Sequence, residues 1–388
     1  MNWIKNNKTN ILLSIASIII TVVVVDVVLY FSHYRYRISR NLYPQFYFKK
    51  DLEIGHDIAL NVATTTHVFE DFEYPVWSNN LGCFDTNYTG ETPYIYMAGD
   101  SLTWGFAPFA DKWGTKIQSY LGIRTLKCGV TGGYGTKQEY IKASRLLEKI
   151  PEPPKLIIVE YFGGNDIDED ANFPINTIYN GYLVPNIAKG STTEAMAQEK
   201  YARFDATCSR EISSHPIIQQ IRCFLSNNSV LYNLIKKNIR DWVTSILPKE
   251  MFEKIDLIAH EKVAVAKSTD ESYEKHLENI LKFQELAQEK SANLLFVLFP
   301  YDDNEKLKVF LEKEKIDYID ITPITDIYKK ITPLNWKMNG HTNIAGDHLI
   351  GAVVSKYIIE NNLVVVTDKE GRLENIHSQV QKEFGVGL

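Results

Sequence analysis

The chain has little cysteine, no excess of positive charge and no repeated segment, and each absence restricts its function. Four cysteines occur among 388 residues, none of them in a Cys-x-x-Cys pair, and no His-Glu-x-x-His sequence is present. The usual spacings of zinc ligands are therefore missing. A formal net charge of −6 argues against a nucleic-acid-binding protein. We expect no metal ion, no cofactor and no nucleic-acid partner.

The composition is that of a folded protein with a large core. Hydrophobic residues make up 45% of the chain and charged residues 23%, which excludes a disordered chain. The length allows two domains, or one domain with an anchor and an insertion. The cysteines leave two interpretations open. Either Cys208 and Cys223 close a modest loop in an oxidising compartment, or the thiols are buried and free.

The amino-terminal region contains an apolar stretch, Ile11 to Phe31, that is long enough to span a bilayer as a helix. A signal peptide would need a shorter apolar core and a small-x-small exit, which is missing here. The sequence therefore predicts an uncleaved, single-pass membrane anchor within residues 1–32. More basic residues follow the stretch than precede it, which favours a cytoplasmic domain, but long domains often override this rule. The polar residues within the stretch are Ser14, Ser17, Thr21 and Asp26.

Short apolar segments alternate with helical patterns along the rest of the chain. The segment Tyr94–Ala98 is typical of a buried parallel strand, and Gly99-Asp100-Ser101-Leu102 follows it at a strand-to-helix turn. A helix is predicted from Thr136, which forms a capping-box pattern with Glu139. Residues 168–270 break the alternation and are interpreted as a helical insertion near the rim of the site. Further strands are predicted at 125–128, 155–162, 293–299 and 318–321. This alternation predicts an α/β fold with a parallel sheet covered on both faces.

Three more polar clusters follow predicted strands. They are Gly129-Val130-Thr131-Gly132-Gly133-Tyr134-Gly135, Gly163-Gly164-Asn165-Asp166 and Asn339-Gly340-His341-Thr342-Asn343. With these blocks the chain resembles the SGNH (GDSL-type) hydrolase superfamily from about residue 79 to about residue 361. The resemblance implies a flavodoxin-like, three-layer α/β/α fold, here preceded by one N-terminal transmembrane helix. The regions are then an anchor (1–32), a linker and lead-in segment (33–90), a hydrolase domain (91–362) and a C-terminal tail (363–388).

The resemblance also implies four site residues. Ser101 matches the nucleophile, and His341 matches the base that takes its proton, a role that suits a group titrating near neutral pH. The backbone N–H groups of Ser101 and Gly132 and the side-chain amide of Asn165 match the oxyanion hole. Two further histidines are expected at the surface: His56 and His377.

The third member of the usual triad is missing from its family position, an aspartate two or three residues before the histidine. Met338 and Asn339 stand there, and an asparagine can orient one imidazole tautomer but cannot stabilise imidazolium as a carboxylate does. Three alternatives stay open. The acid comes from elsewhere, with Asp317 and Asp320 as candidates; a Ser–His dyad is oriented by Asn339 or a backbone carbonyl; or activity is low or lost.

The leading hypothesis is a membrane-anchored serine esterase or acyltransferase that acts on a cell-envelope carbohydrate or lipid through an acylated Ser101. Tethered relatives in the family place the catalytic domain in the periplasm or outside the cell, and we expect the same here. The alternative is a non-catalytic glycan-binding or assembly protein that retains the fold. The sequence leaves the oligomeric state and the acyl acceptor open.

We expect Asn339→Asp to raise the rate of ester turnover if Asn339 occupies the third triad position, because a carboxylate stabilises the imidazolium formed during attack. Steady-state kinetics with a small ester measures this. An unchanged or lower rate would favour an acid from elsewhere.

Overall fold

The computed structural model describes residues 8–29, 31, 41–69, 72–186, 221, 224–225, 229–232, 234–235, 270–301, 304–336 and 340–388. The strands are β1 (Asn41–Leu42), β2 (Phe48–Asp51), β3 (Gly55–Ile58), β4 (Thr65–Phe69), β5 (Phe72–Val76), β6 (Tyr94–Ala98), β7 (Arg124–Lys127), β8 (Leu156–Tyr161), β9 (Asn176–Tyr179), β10 (Tyr182–Pro185), β11 (Asn293–Leu298) and β12 (Asp317–Asp320). The helices are α1 (Lys8–Leu29), α2 (Ser101–Trp104), α3 (Trp113–Leu121), α4 (Thr136–Lys149), α5 (Asp166–Ala171), α6 (Asp270–Glu289), α7 (Asn304–Glu314), α8 (Thr322–Tyr328), α9 (Ile344–Glu360) and α10 (Lys369–Phe384).

A five-stranded parallel sheet forms the centre of the fold, in the order β7, β6, β8, β11, β12. All five strands were predicted from the sequence, and the predicted α/β fold with a parallel sheet is confirmed. The first strand in chain order, β6, lies between the second and the third. This is the flavodoxin-like order, and the chain connections diverge on either side of β6. In such sheets the crevice for a ligand opens at the carboxyl end of that strand, where Ser101 lies.

Helices cover both faces of the sheet, and the side chains of alternate residues in each strand point to opposite faces. On one face, Ile95 and Met97 of β6 pack with apolar residues of α3, α9 and α10. On the other face, Tyr94 and Tyr96 pack with residues of α4, α6 and α7. The period of two along the strand puts successive side chains on opposite faces. The helix α10 lies within the region assigned as the C-terminal tail, and it contributes buried residues to the first face.

The lead-in segment forms an antiparallel layer against the carboxyl edge of the sheet, where Ser101 lies. The strands β1, β4 and β5 make one small sheet, and β2 pairs with β3 in another. Their apolar side chains pack on Trp104 and Phe106, which follow the Ser101 turn. The buried members of this lead-in cluster are Tyr47, Phe48, Ile54, Ile58, Phe69, Tyr74, Val76, Phe84, Trp104, Phe106, Val130 and Tyr134.

A disulfide joins the lead-in segment to the end of β7, between Cys83 and Cys128. This pair was not predicted; Cys208 and Cys223 lie outside the described residues, so the predicted loop between them is not tested. For a sequence separation of 45 residues, the loss of chain entropy in the unfolded state corresponds to about 4 kcal/mol. Asp85 reinforces the same junction, because its buried carboxylate pairs with Arg124 and Lys127. The sequence could not show this pairing, since the two cysteines meet only when β7 takes its place in the sheet.

The segment predicted as a membrane anchor forms the helix α1. No helix in the described ranges is both long enough and apolar enough to cross a membrane, so the predicted transmembrane helix is not supported. The carboxylate of Asp26 accepts a hydrogen bond of 2.8 Å from the backbone N–H of Leu231.

The helix α4 begins at Thr136, as predicted, but its cap differs from the predicted one. Gly135 is the N-cap, and its N–H donates to the side-chain oxygen of Gln138 at 3.2 Å. Thr136 and Glu139 therefore do not form the predicted capping box, and Glu139 turns into the protein interior. Most of the predicted insertion lies outside the described residues; its first part forms the hairpin of β9 and β10.

Two buried histidines make the lead-in layer sensitive to acid. Burial lowers the pKa of His56 to about 4 and that of His67 to about 3. Between these values and about pH 6.5 the unfolded chain binds more protons than the folded chain. We expect the free energy of unfolding to fall as the pH is lowered from 6.5 to 4, by up to about 1.4 kcal/mol per pH unit for each histidine.

Chemical denaturation across this pH range measures the effect. In His56→Gln and in His67→Gln the slope of stability against pH should be smaller than in the wild type. The control is His377→Gln, which changes an exposed histidine of α10 and should keep the wild-type slope. Equal slopes in all four proteins would contradict the prediction.

Candidate active site

The serine of the first block lies on a tight turn between β6 and α2. Gly99 has a φ of +151°, and a Cβ at this position would lie 2.1 Å from Thr103 Oγ1, so only glycine fits. Asp100 caps α2, because its Oδ1 accepts the N–H of Leu102 at 2.8 Å. Ser101 is the first residue of the helix, where backbone N–H groups have no intrahelical acceptor and the local field favours negative charge.

His341 lies beside this serine, as predicted. Its Nε2 is 2.8 Å from Ser101 Oγ, although 240 positions separate the two residues. Trp336 holds the loop that carries His341, because its backbone N–H donates to the His341 carbonyl at 2.8 Å. The buried ring of Phe106 lies against the imidazole, with ring centroids 4.4 Å apart. The imidazole is therefore positioned to take the serine proton.

Asn165 reaches the same place from the end of β8. Its Nδ2 donates to Asp100 Oδ2 at 2.8 Å, and Ser101 Oγ lies 3.4 Å from that same oxygen. One carboxylate oxygen thus brings the serine hydroxyl and the Asn165 amide together.

Gly132 lies on the turn after β7, and residues from other segments hold this turn in place. Gly132 has a φ of +99°, which favours glycine. The Gly132 carbonyl accepts a hydrogen bond from Asn176 Nδ2 at 2.6 Å. The preceding residue is held from the lead-in segment: Tyr43 Oη lies 2.6 Å from Thr131 Oγ1, and His56 Nε2 lies 3.1 Å from the Thr131 carbonyl.

Together these groups can carry out nucleophilic attack on an acyl carbonyl. In the described part of the chain, no protein acceptor takes the backbone N–H of Ser101 or of Gly132. Both donors are free to face an oxyanion, and such preorganised donors usually supply the largest catalytic contribution. The structure thus places Ser101, His341, Gly132 and Asn165 at the carboxyl edge of one sheet.

Of the two carboxylates considered as the triad acid, one has other partners and the other lies away from the site. Asp320 pairs with Lys308 and accepts the N–H of Thr322 at 2.9 Å. Asp317 is the first residue of β12, so it lies at the amino end of the parallel strands, whereas the site lies at their carboxyl end. Asn339, the predicted orienter of His341, lies outside the described residues.

Sequence reasoning missed three contributors and misplaced one. Asp100 links the serine to Asn165, and Phe106 supports His341. Glu160 is the third missed contributor, because its Oε2 accepts the Asp100 N–H at 3.1 Å. Its position as a glutamate inside the apolar strand Leu-Ile-Ile-Val-Glu-Tyr was the sequence feature that could have indicated this role. His56 is fully buried beside the Gly132 turn rather than at the surface. Its predicted exposure was wrong because the lead-in segment folds as a layer.

Comparison with known proteins finds distant structural similarity. No protein-family model and no curated protein matches the chain. A member of the lipolytic protein G-D-S-L family from Veillonella parvula DSM 2008 is 13% identical, with a TM-score of 0.33; the match covers 66% of this chain and 93% of that one. A lipase/acylhydrolase from Enterococcus faecalis is 11% identical, with a TM-score of 0.32, over 69% of this chain and 95% of its own.

We expect Gly132→Ala to lower ester turnover by about a hundredfold or more, the usual effect of losing one oxyanion donor. The positive φ of +99° strains an alanine at this position, and its Cβ would lie 2.4 Å from Leu183 Cδ2 and 3.2 Å from His56 Nε2, so either the turn or these side chains must shift. Turnover of p-nitrophenyl acetate and the midpoint of thermal unfolding are the measurements.

The matched control is Gly90→Ala. Gly90 has a similar φ of +94° but no heavy atom within 4 Å of an added Cβ. The Gly90→Ala variant should have a similar cost in backbone strain, and its ester turnover should stay near the wild-type rate. Equal turnover in the two variants would contradict the role of the Gly132 turn.

Proposed function

We propose that this protein is a serine esterase or acyltransferase of the SGNH type that works through an acyl-Ser101 intermediate. The observation that carries the proposal is the 2.8 Å contact between Ser101 Oγ and His341 Nε2 at the carboxyl edge of the parallel sheet. The free N–H groups of Ser101 and Gly132 and the Asn165 amide support it, because they are the donors that an acyl oxyanion requires.

The reaction follows from these positions in two halves. His341 Nε2 takes the proton of Ser101 as Oγ forms a bond to the acyl carbon, and the carbonyl oxygen gains negative charge. The oxyanion then collapses, the ester C–O bond breaks, and the leaving oxygen takes the proton from His341. In the second half His341 takes a proton from an acceptor hydroxyl, whose oxygen attacks the acyl carbon. The bond from the acyl carbon to Ser101 Oγ then breaks, and Oγ takes the proton back from His341. Water as acceptor makes an esterase, and a sugar hydroxyl makes a transferase.

The proposed substrate is an ester on a cell-envelope carbohydrate or lipid. Aromatic side chains flank both sides of the site and support this proposal. Trp336 and Phe72, both partly exposed, pack beside the His341 loop with ring centroids 5.7 Å apart. On the Asn165 side Phe162 packs on Tyr301, which is 40% exposed. Aromatic faces of this kind suit a sugar ring or an acyl chain.

An extracytoplasmic location is part of the proposal, and the disulfide between Cys83 and Cys128 supports it. Structural disulfides persist in oxidising compartments and are rare in the cytosol. The predicted single-pass anchor has no support in the structure and is not part of this proposal.

Ser101→Ala and His341→Gln should each lower p-nitrophenyl acetate turnover by about a thousandfold or more, because nucleophile and base act as one unit. A fluorophosphonate should label the wild-type, full-length chain and leave Ser101→Ala unlabelled. His348→Gln serves as the control: His348 pairs with Glu383 and Asp111 on the helical face and should keep activity.

A folded wild-type chain that shows neither turnover nor Ser101-dependent labelling would overturn the enzyme proposal. That result would favour the non-catalytic, glycan-binding alternative. A screen for acetyl release and acetyl transfer on envelope glycans then separates esterase from transferase activity.

A further inference from the structure

One peptide unit contains both an oxyanion donor of the candidate site and a carbonyl bound from the lead-in segment. The backbone N–H of Gly132 belongs to the same peptide unit as the carbonyl of Thr131. A peptide unit is planar and trans, so its C=O and N–H groups point in opposite directions. The group that binds the Thr131 carbonyl therefore also sets the direction of the Gly132 N–H. That group is the imidazole of His56, whose Nε2 lies 3.1 Å from the carbonyl oxygen.

This peptide unit needs such a contact because glycine allows it to turn over. Turning it changes the ψ of Thr131 and the φ of Gly132. Gly132 has a φ of +99°, and glycine adopts negative φ about as readily as positive φ. In the opposite orientation the Thr131 carbonyl would face the site and the Gly132 N–H would point away from it. The oxyanion donor would then be lost, so the backbone sequence of the turn is not sufficient to provide it.

His56 is placed so that it donates to this carbonyl. Its side chain is fully buried on β3, within the lead-in layer. A carbonyl oxygen only accepts hydrogen bonds, so His56 Nε2 must bear a proton. Burial lowers the pKa of His56 to about 4, and the neutral ring at pH 7 therefore has its one proton on Nε2. Tyr134 Oη donates to the backbone carbonyl of His56 at 3.0 Å and holds this residue in place.

A second contact fixes the next peptide unit. Asn176, from the hairpin of β9 and β10, donates from Nδ2 to the Gly132 carbonyl at 2.6 Å. Side chains from outside the parallel sheet thus bind both peptide units that flank the Gly132 Cα. The same loop is fixed to the turn before Ser101, because the N–H of Val130 donates to the Gly99 carbonyl at 3.0 Å. The orientation of the Gly132 N–H relative to the serine is therefore set by contacts on each side of it.

We propose that His56 is a positioning residue of the oxyanion hole, which donates to the Thr131 carbonyl and so keeps the Gly132 N–H directed at the acyl oxygen. Asn176 secures the adjoining peptide unit. This inference rests on the proposed reaction through Ser101. It gives the lead-in segment a part in stabilising the transition state, although that segment lies outside the four polar blocks. The oxyanion forms only during the reaction, so loss of this contact should lower kcat and leave KM nearly unchanged.

Turnover of p-nitrophenyl acetate by the full-length chain tests the proposal. His56→Leu removes the donor and should lower kcat by about tenfold to a hundredfold, up to the effect of a missing oxyanion donor. His56→Gln places an amide N–H near the position of Nε2 and should recover most of that loss. The affinity for a trifluoromethyl ketone should fall in parallel with kcat, because its adduct with Ser101 has an oxyanion. A purely structural role of His56 would not produce this parallel.

Ser78→Ala is the control for stability within the same layer. The buried Ser78 hydroxyl accepts the N–H of Val62 at 2.8 Å and donates to the Ala59 carbonyl. Its loss should lower the midpoint of thermal unfolding and leave kcat at the wild-type value. If His56→Leu does not fold, Asn176→Ala decides the result and should lower kcat by about tenfold with KM unchanged.

Three outcomes would overturn the proposal, and they separate it from the proposed function. Wild-type kcat in the deciding variant, measured beside an active wild-type chain, would overturn this proposal alone. An equal loss of kcat in His56→Leu and His56→Gln would do the same, because the donor would then be irrelevant. A folded wild-type chain without turnover and without Ser101-dependent labelling would overturn the proposed function, and this proposal with it.

Discussion

The carboxylate of Asp100 is the interaction on which the candidate site depends. One of its oxygens caps the helix that presents Ser101, and the other accepts the Asn165 amide beside the serine hydroxyl. Its backbone N–H donates to Glu160 in the middle of the sheet. A buried anion is tolerated only when hydrogen bonds replace its lost hydration. These contacts therefore stabilise Asp100 and, at the same time, place the nucleophile and one oxyanion donor.

The lead-in segment completes the site from outside the sheet. Tyr43 and His56 contact Thr131, directly before Gly132 on the oxyanion turn. The disulfide at Cys83 fastens this layer to the strand that leads into the turn. Stability of the lead-in layer and geometry of the oxyanion turn are thus coupled, because the same side chains serve both. The five-stranded sheet without the lead-in segment would lack these contacts.

Much of the fold could be predicted because local signals agreed with the tertiary structure. The strand Tyr94–Ala98 has the bounds that its apolar run predicts, and glycine follows where the turn requires it. Features that depend on a contact with another residue were not predicted correctly from the sequence. Gly135, not Thr136, caps α4, and the pairing of Cys83 with Cys128 has no counterpart in local spacing. The sequence around His56 has no periodic pattern of apolar residues that would indicate a buried side chain.

The sequence by itself determined the alternation of strands and helices, and with it the edge at which Ser101, Asn165 and His341 meet. It did so because parallel strands end at one edge whatever covers them. Only the tertiary structure decided what surrounds these residues: the contacts of Asp100 with Ser101 and Asn165, and the lead-in layer that carries His56. Those contacts join segments far apart in the chain, and their energies depend on burial and distance, which local sequence patterns do not encode.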